Sequence, residues 1–164
     1  MGSSLRRGSC ISVLMFVAAF AATQTAAGVV AQTTAAAAAQ DLQGAWRAET
    51  YVLAGGVSHP IDGMIFFTAT DWTVLFFVLD QEGVSHRGSG EGGTYVLEGD
   101  RLTFRHRYNL SAGEEMEGLP ASALRMQVSD AAGAAVEPCT IELSEEWLTI
   151  HFPSGNRMMF SRSS

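Results

Sequence analysis

Arg101-Leu102-Thr103-Phe104-Arg105-His106-Arg107-Tyr108-Asn109 alternates residue by residue. Leu102, Phe104, His106 and Tyr108 fall on one side; Arg101, Thr103, Arg105, Arg107 and Asn109 fall on the other. Successive side chains of an extended chain point to opposite faces, so the stretch reads as a strand with one face in a core and the other in water.

The same texture continues in both directions. Candidate strands are Gly44–Leu53, Gly63–Thr70, Trp72–Asp80, Gly93–Glu98, Arg101–Asn109, Ser122–Ser129, Pro138–Ser144, Trp147–Phe152 and Arg157–Arg162. They are rich in β-branched and aromatic residues and are separated by Gly, Pro, Asn, Asp and Ser. Glu98-Gly99-Asp100 and Pro153-Ser154-Gly155-Asn156 are tight-turn chemistry. The longer loops expected are Ala54–Asp62, Gln81–Gly92, Leu110–Ala121 and Asp130–Glu137. No segment here sustains a helical period. Many short, evenly spaced strands specify an all-β fold, and we expect a small antiparallel up-and-down β-barrel of about eight or nine strands.

Met64–Ala69 and Trp72–Leu79 depart from clean alternation, being apolar on both faces. A barrel strand needs only its inner face apolar, so the 63–80 hairpin is expected to have a covered outer face, and a homodimer through it is a candidate partner interaction. The turn at Thr70-Asp71 leaves open which parity points outward.

The first forty residues read differently. Arg6 and Arg7 precede the apolar run Ile11–Ala22, which is too short to span a bilayer and suits the core of a secretory signal. Small residues follow, with candidate cleavage sites after Ala27 and Ala31. We expect residues 1–31 to be a signal peptide, 32–40 an Ala/Thr-rich flexible linker, and 41–164 the folded domain. The product would be exported, periplasmic or secreted, with no membrane association after signal cleavage.

Charge narrows the function classes. The chain has 10 basic and 17 acidic residues, a formal net charge of −7, and every basic residue is arginine. Loss of Arg6 and Arg7 with the signal would make the net charge −9. An acidic protein does not suit nucleic acid or an anionic membrane surface. Cys10 would leave with the signal, so Cys139 has no intramolecular partner and reads as a small buried hydrophobe on a strand.

Asp41-Leu42-Gln43-Gly44-Ala45-Trp46-Arg47 resembles the Gly-x-Trp opening of lipocalins, and Phe160-Ser161-Arg162 resembles their closing arginine segment. Pro60–Thr68 and Gly93–Thr103 are similar to the second strand and central hairpin of bacterial lipocalin-like domains. The resemblance covers nearly all of Asp41–Arg162, without the disulfides or the C-terminal helix of many secreted lipocalins. It implies a lipocalin-like barrel in which Gly44, Trp46 and Arg162 close one end, the guanidinium packed over the indole. It also implies a ligand-binding function.

The expected binding protein holds a small hydrophobic or amphipathic molecule in its interior, lined by Phe104, His106, Tyr108, Met126 and Phe160. His106 has two main readings: a core histidine satisfied by a tyrosine or a carbonyl, or a ligand hydrogen-bonder and pH-sensitive wall. The alternative function is a periplasmic protease-inhibitor barrel that uses the 32–40 linker for insertion. No enzyme is expected, because no catalytic set is visible, and neither cofactor nor metal is expected. Asp80, Glu82 and His86 could form a metal or acid–base cluster only if their glycine-rich loop were specially ordered. Gly88-Ser89-Gly90-Glu91-Gly92-Gly93 matches a nucleotide-binding pattern in letters but is followed by a strand, so it is expected to be a flexible loop. A connected cavity of roughly 300 Å³ or more would mark a binder. A filled barrel would mark an inhibitor, and two or more titratable groups meeting inside would mark an enzyme.

Overall fold

Period-two patterning makes nine strands across residues 41–164, the part of the chain that the structure, a computed structural model, describes. The signal-peptide and linker expectations for 1–31 and 32–40 lie outside the described residues. The strands are β1 (Gly44–Val52), β2 (Ser58–Phe67), β3 (Asp71–Leu79), β4 (Ser85–Glu98), β5 (Arg101–Gly113), β6 (Ser122–Val128), β7 (Ala135–Leu143), β8 (Trp147–His151) and β9 (Arg157–Arg162). Every pairing is antiparallel. Eight strands close into a barrel in the order β1-β2-β3-β4-β5-β7-β8-β9, with β9 returning to β1. This is the architecture that the lipocalin-like resemblance implies.

Strand β6 stands outside the ring. The first half of β5, Arg101–His106, pairs with β7, and the second half, from Tyr108 to Gly113, pairs with β6 on the same edge. All of β6 is therefore exposed.

One end is closed by Trp46, which is fully buried. Its indole N–H donates to the Leu42 carbonyl at 2.9 Å, and the Arg162 guanidinium lies 4.1 Å from its ring centroid. Arg162 also donates to the carbonyls of Asp41 and Glu145, so the cation both stacks on the ring and ties the end of β9 to the segment before β1 and to the β7–β8 turn. Gly44 opens β1 at φ 118°, a left-handed region that favours glycine, beside Arg162. The other end is crossed by residues 114–121. There the backbones of Met116 and Leu119 bond each other, His59 Nε2 meets the Glu117 carbonyl at 2.9 Å, and Arg87 donates to the Glu114 and Pro120 carbonyls.

Strand β4 begins eight residues before the sequence suggests. Gly88–Gly93 is strand, not a flexible loop, because β3 and β5 pair with it on both edges. The glycines at 88 and 90 face outward, where the ring of Phe77 and the side chain of Leu75 lie across them. Strand β5 likewise runs four residues further than expected. Cys139 is buried in β7, as the sequence suggests.

The decisive irregularity is a bulge in β5. Gly93 pairs with His106 and Gly92 with Tyr108, so Arg107 is a surplus residue and the side-chain parity reverses after it. Leu102, Phe104 and His106 face inward, but Tyr108 and Leu110 face out, each half exposed. Gly93 makes the bulge possible: a Cβ at this position would run into the Arg105 carbonyl oxygen. We expect Gly93→Ala to destabilise the protein by about 1–3 kcal/mol, as an overpacked site does. Gly90→Ala, with only ordinary contacts around the added carbon, should change stability by no more than about 0.5 kcal/mol. Equal denaturation midpoints for the two variants would contradict the bulge.

Candidate functional site

The barrel interior is not filled. A cavity of about 590 Å³ runs from its centre to an opening framed by Ala135 and Val136 at the start of β7 and by Pro153, Ser154 and Asn156 in the β8–β9 turn. Its floor and walls are apolar: Ile65, Trp72, Val74, Phe104, Ile150, Met158 and Phe160 all line it. These are inward positions of β2, β3, β5, β8 and β9, and strand alternation brings them together.

Against this wall sits a charged chain of three residues. His106 Nδ1 lies 2.8 Å from Glu91 Oε2, and His106 Nε2 lies 3.1 Å from Glu137 Oε2. Each comes from a different strand: Glu91 from β4, His106 from β5 and Glu137 from β7. Gly93, opposite both Trp72 and His106, leaves space for those two rings to meet edge to face at 5.1 Å. Ser89 donates to the other Glu91 oxygen at 2.8 Å.

The hydrogen bonds to Glu137 and then Glu91 raise the His106 imidazole to about 9, against the opposing effect of burial. At neutral pH both ring nitrogens are therefore protonated and both donate. Burial works to raise the Glu91 carboxyl, but the bonds from His106 and Ser89 outweigh it and hold it below its ordinary value. Burial also pushes the Cys139 thiol up to about 12, which leaves it unreactive as a nucleophile.

Of the five expected lining residues, Phe104, His106 and Phe160 line the cavity. Tyr108 does not: the bulge turns it to the outer face, 50% exposed. Nor does Met126, which lies 74% exposed on β6, paired with the outward Leu110. His106 is satisfied by two carboxylates and not by a tyrosine or a carbonyl. Glu91 and Glu137 complete the site and were not expected. Both are inward by simple alternation, Glu91 from Tyr95 through Gly93, and Glu137 from Cys139.

A second carboxylate–histidine–carboxylate chain lies on the surface. His86 Nε2 meets Asp80 Oδ2, and its Nδ1 meets Glu114 Oε2, each at 2.8 Å. Glu82, the third residue of the conditional cluster, contributes only its backbone N–H to Asp80. Bonds from Glu114 and Asp80 raise His86, and the bond from His86 lowers Asp80. In both chains the carboxylates approach opposite nitrogens of the imidazole, so their oxygens do not converge on one point. Among the described residues no group of His, Cys, Asp and Glu is placed to hold a metal ion. Among them, too, no helix is long and apolar enough to cross a membrane.

No family model matches the chain, and no curated protein is similar to it. Among solved structures, it is similar to a lipocalin-like protein from Bacteroides uniformis. The two share 18% identity and a TM-score of 0.45, over 75% of this chain and 99% of that one.

The site generates a pH signature. Because the folded His106 value lies above its ordinary 6.5, its contribution is complete below about pH 6.5 and is lost as the pH rises through about 9. The lowered Glu91 carboxyl acts in the opposite sense, stabilising above its ordinary 4.5 and losing that contribution as the pH falls. His106→Gln should therefore cost on the order of 3 kcal/mol near pH 6 and much less above the folded-state value of about 9. Urea midpoints across that range read the difference, and a penalty independent of pH would contradict the charged chain.

Proposed function

We propose that this protein binds a small hydrophobic or amphipathic molecule in the barrel interior, its apolar body against Phe104, Ile150 and Phe160 and its polar end near Glu137. The supporting observation is the open cavity of about 590 Å³, which falls within the roughly 300–1,000 Å³ range of small-molecule sites. A filled barrel would have suited the protease-inhibitor alternative, which is not favoured.

Three titratable groups do meet inside, the feature expected of an enzyme. We propose binding in preference to catalysis because both His106 nitrogens are committed to carboxylates. A general acid or base must reach the proton it transfers, and this imidazole has no free edge to offer. The proposed location, periplasmic or secreted, rests on the N-terminal sequence alone.

A second proposal concerns association. On the 63–80 hairpin, Ile65, Phe67, Trp72, Val74 and Val78 are buried, while Phe66, Leu75 and Phe77 are 43%, 54% and 42% exposed. Outward Tyr108 and Leu110 lie beyond the small glycine side of β4. This face supports a homodimer.

A neutral apolar fluorophore such as N-phenyl-1-naphthylamine should bind saturably and brighten. Val74→Phe, which fills the cavity, should weaken it by about tenfold or more with the melting temperature kept. Equal binding by both proteins, or no saturable binding, would contradict interior binding. Sedimentation at micromolar concentration should show a dimer that Leu75→Arg with Phe77→Arg converts to monomer; a wild-type monomer would contradict association.

A further inference from the structure

The charges in the cavity wall are all on Glu91, His106 and Glu137; neither arginine nor lysine lines it. Two carboxylates face one imidazole, so the wall is net negative whether the imidazole carries its extra proton or not. A ligand anion would find no compensating base there. His106 cannot serve, because both its nitrogens are taken by the glutamates. Arg87, in the adjoining smaller cavity, spends its guanidinium on the Glu114 and Pro120 carbonyls and on Ser122.

The two glutamates are not equivalent. Glu91 uses one oxygen on His106 and the other on Ser89. Glu137 uses only Oε2, on His106; among the described residues its other oxygen accepts no hydrogen bond. Its side chain is also the more exposed of the two, 34% against 23%, and it follows Val136 at the opening. The side chains of Tyr51, Trp72, Phe76 and Phe104 line the same cavity, and aromatic rings attract cations.

We infer that the cavity selects a cationic amphipath: an apolar chain or ring system bearing a protonated amine or quaternary ammonium group, held at Glu137 and against the aromatic wall. This inference rests on the interior-binding reading and adds the charge of the ligand to it.

The test is displacement of N-phenyl-1-naphthylamine by three probes of equal chain length, decyltrimethylammonium, decanol and decanoate, each below its micelle concentration at neutral pH. The cation should displace the fluorophore at a concentration at least about tenfold below that of decanoate, with decanol between them. Glu137→Gln should narrow that gap to about threefold or less and leave decanol unchanged. Glu98→Gln, an equal change in net charge at the distant β4–β5 turn, should not narrow it. Decanoate binding as tightly as the cation would overturn the inference. So would a cation preference untouched by Glu137→Gln, or displacement by none of the probes from a protein that binds the fluorophore. Failure of the fluorophore itself to bind would overturn the interior-binding reading, and the inference with it.

Discussion

Between His106 and Tyr108, strand β5 carries one residue more than its partner β4, and much of the barrel follows from that surplus. Without the bulge at Arg107, the alternation that begins at Leu102 would continue, and Tyr108 and Leu110 would fill the upper interior. With it, Asn109 and Ser111 take the inward positions opposite Glu91 and Ser89, and the bulky side chains go outside. The same strand changes partners at this point, from β7 to β6. The β4–β5 wall beyond the bulge is thus left with small and polar inward residues, and the apolar surface displaced from it joins Leu75 and Phe77 on the outer face.

A cavity of this kind would ordinarily exclude charge, since moving an ionised group out of water costs several kcal/mol unless it is paired. Here the cost is met locally. The imidazolium lies between two carboxylates, one of which is also bonded to Ser89, and the open side of the barrel leaves Glu137 partly in water. The result is a polar strip fixed on one wall of an apolar pocket. Trp46 and Arg162 give the opposite end no such opening: their stacking, with the Leu42 carbonyl on the indole nitrogen, makes a closed base from which the strands rise.

The fold was legible because the inward residues of β8, of β9 up to Phe160 and of the start of β5 (Leu102 and Phe104) are apolar, and because Gly44, Trp46 and Arg162 stand where a barrel closure needs them. The site was legible only in part. Phe104, His106 and Phe160 follow from alternation near the closed end. Tyr108 was misplaced because a one-residue bulge leaves no mark in a pattern of polar and apolar letters; Gly93, which permits it, looks like any glycine of a loop. Glu91 and Glu137 were missed for a related reason. Gly-rich Gly88–Gly93 has poor intrinsic strand preference, and Pro138 looks like a strand start, so both strands were begun too late to include their glutamates. Pairing on both edges overrides those local preferences. The outer face of the hairpin was recognised as too apolar, but its parity depended on the Thr70-Asp71 turn and became definite only with the register Phe67 to Trp72.

The bulge places a doubly protonated His106 inside, between two carboxylates, with Tyr108 on the opposite face of the strand. Nitrogen-15 NMR of the His106 side chain near neutral pH decides between this arrangement and an unbulged strand. Both ring nitrogens should carry protons in slow exchange with water, with nuclear Overhauser contacts from the ring to Trp72 and Phe104 and none to the Tyr108 ring. A single neutral tautomer with one bare nitrogen, or a ring in contact with Tyr108, would contradict it.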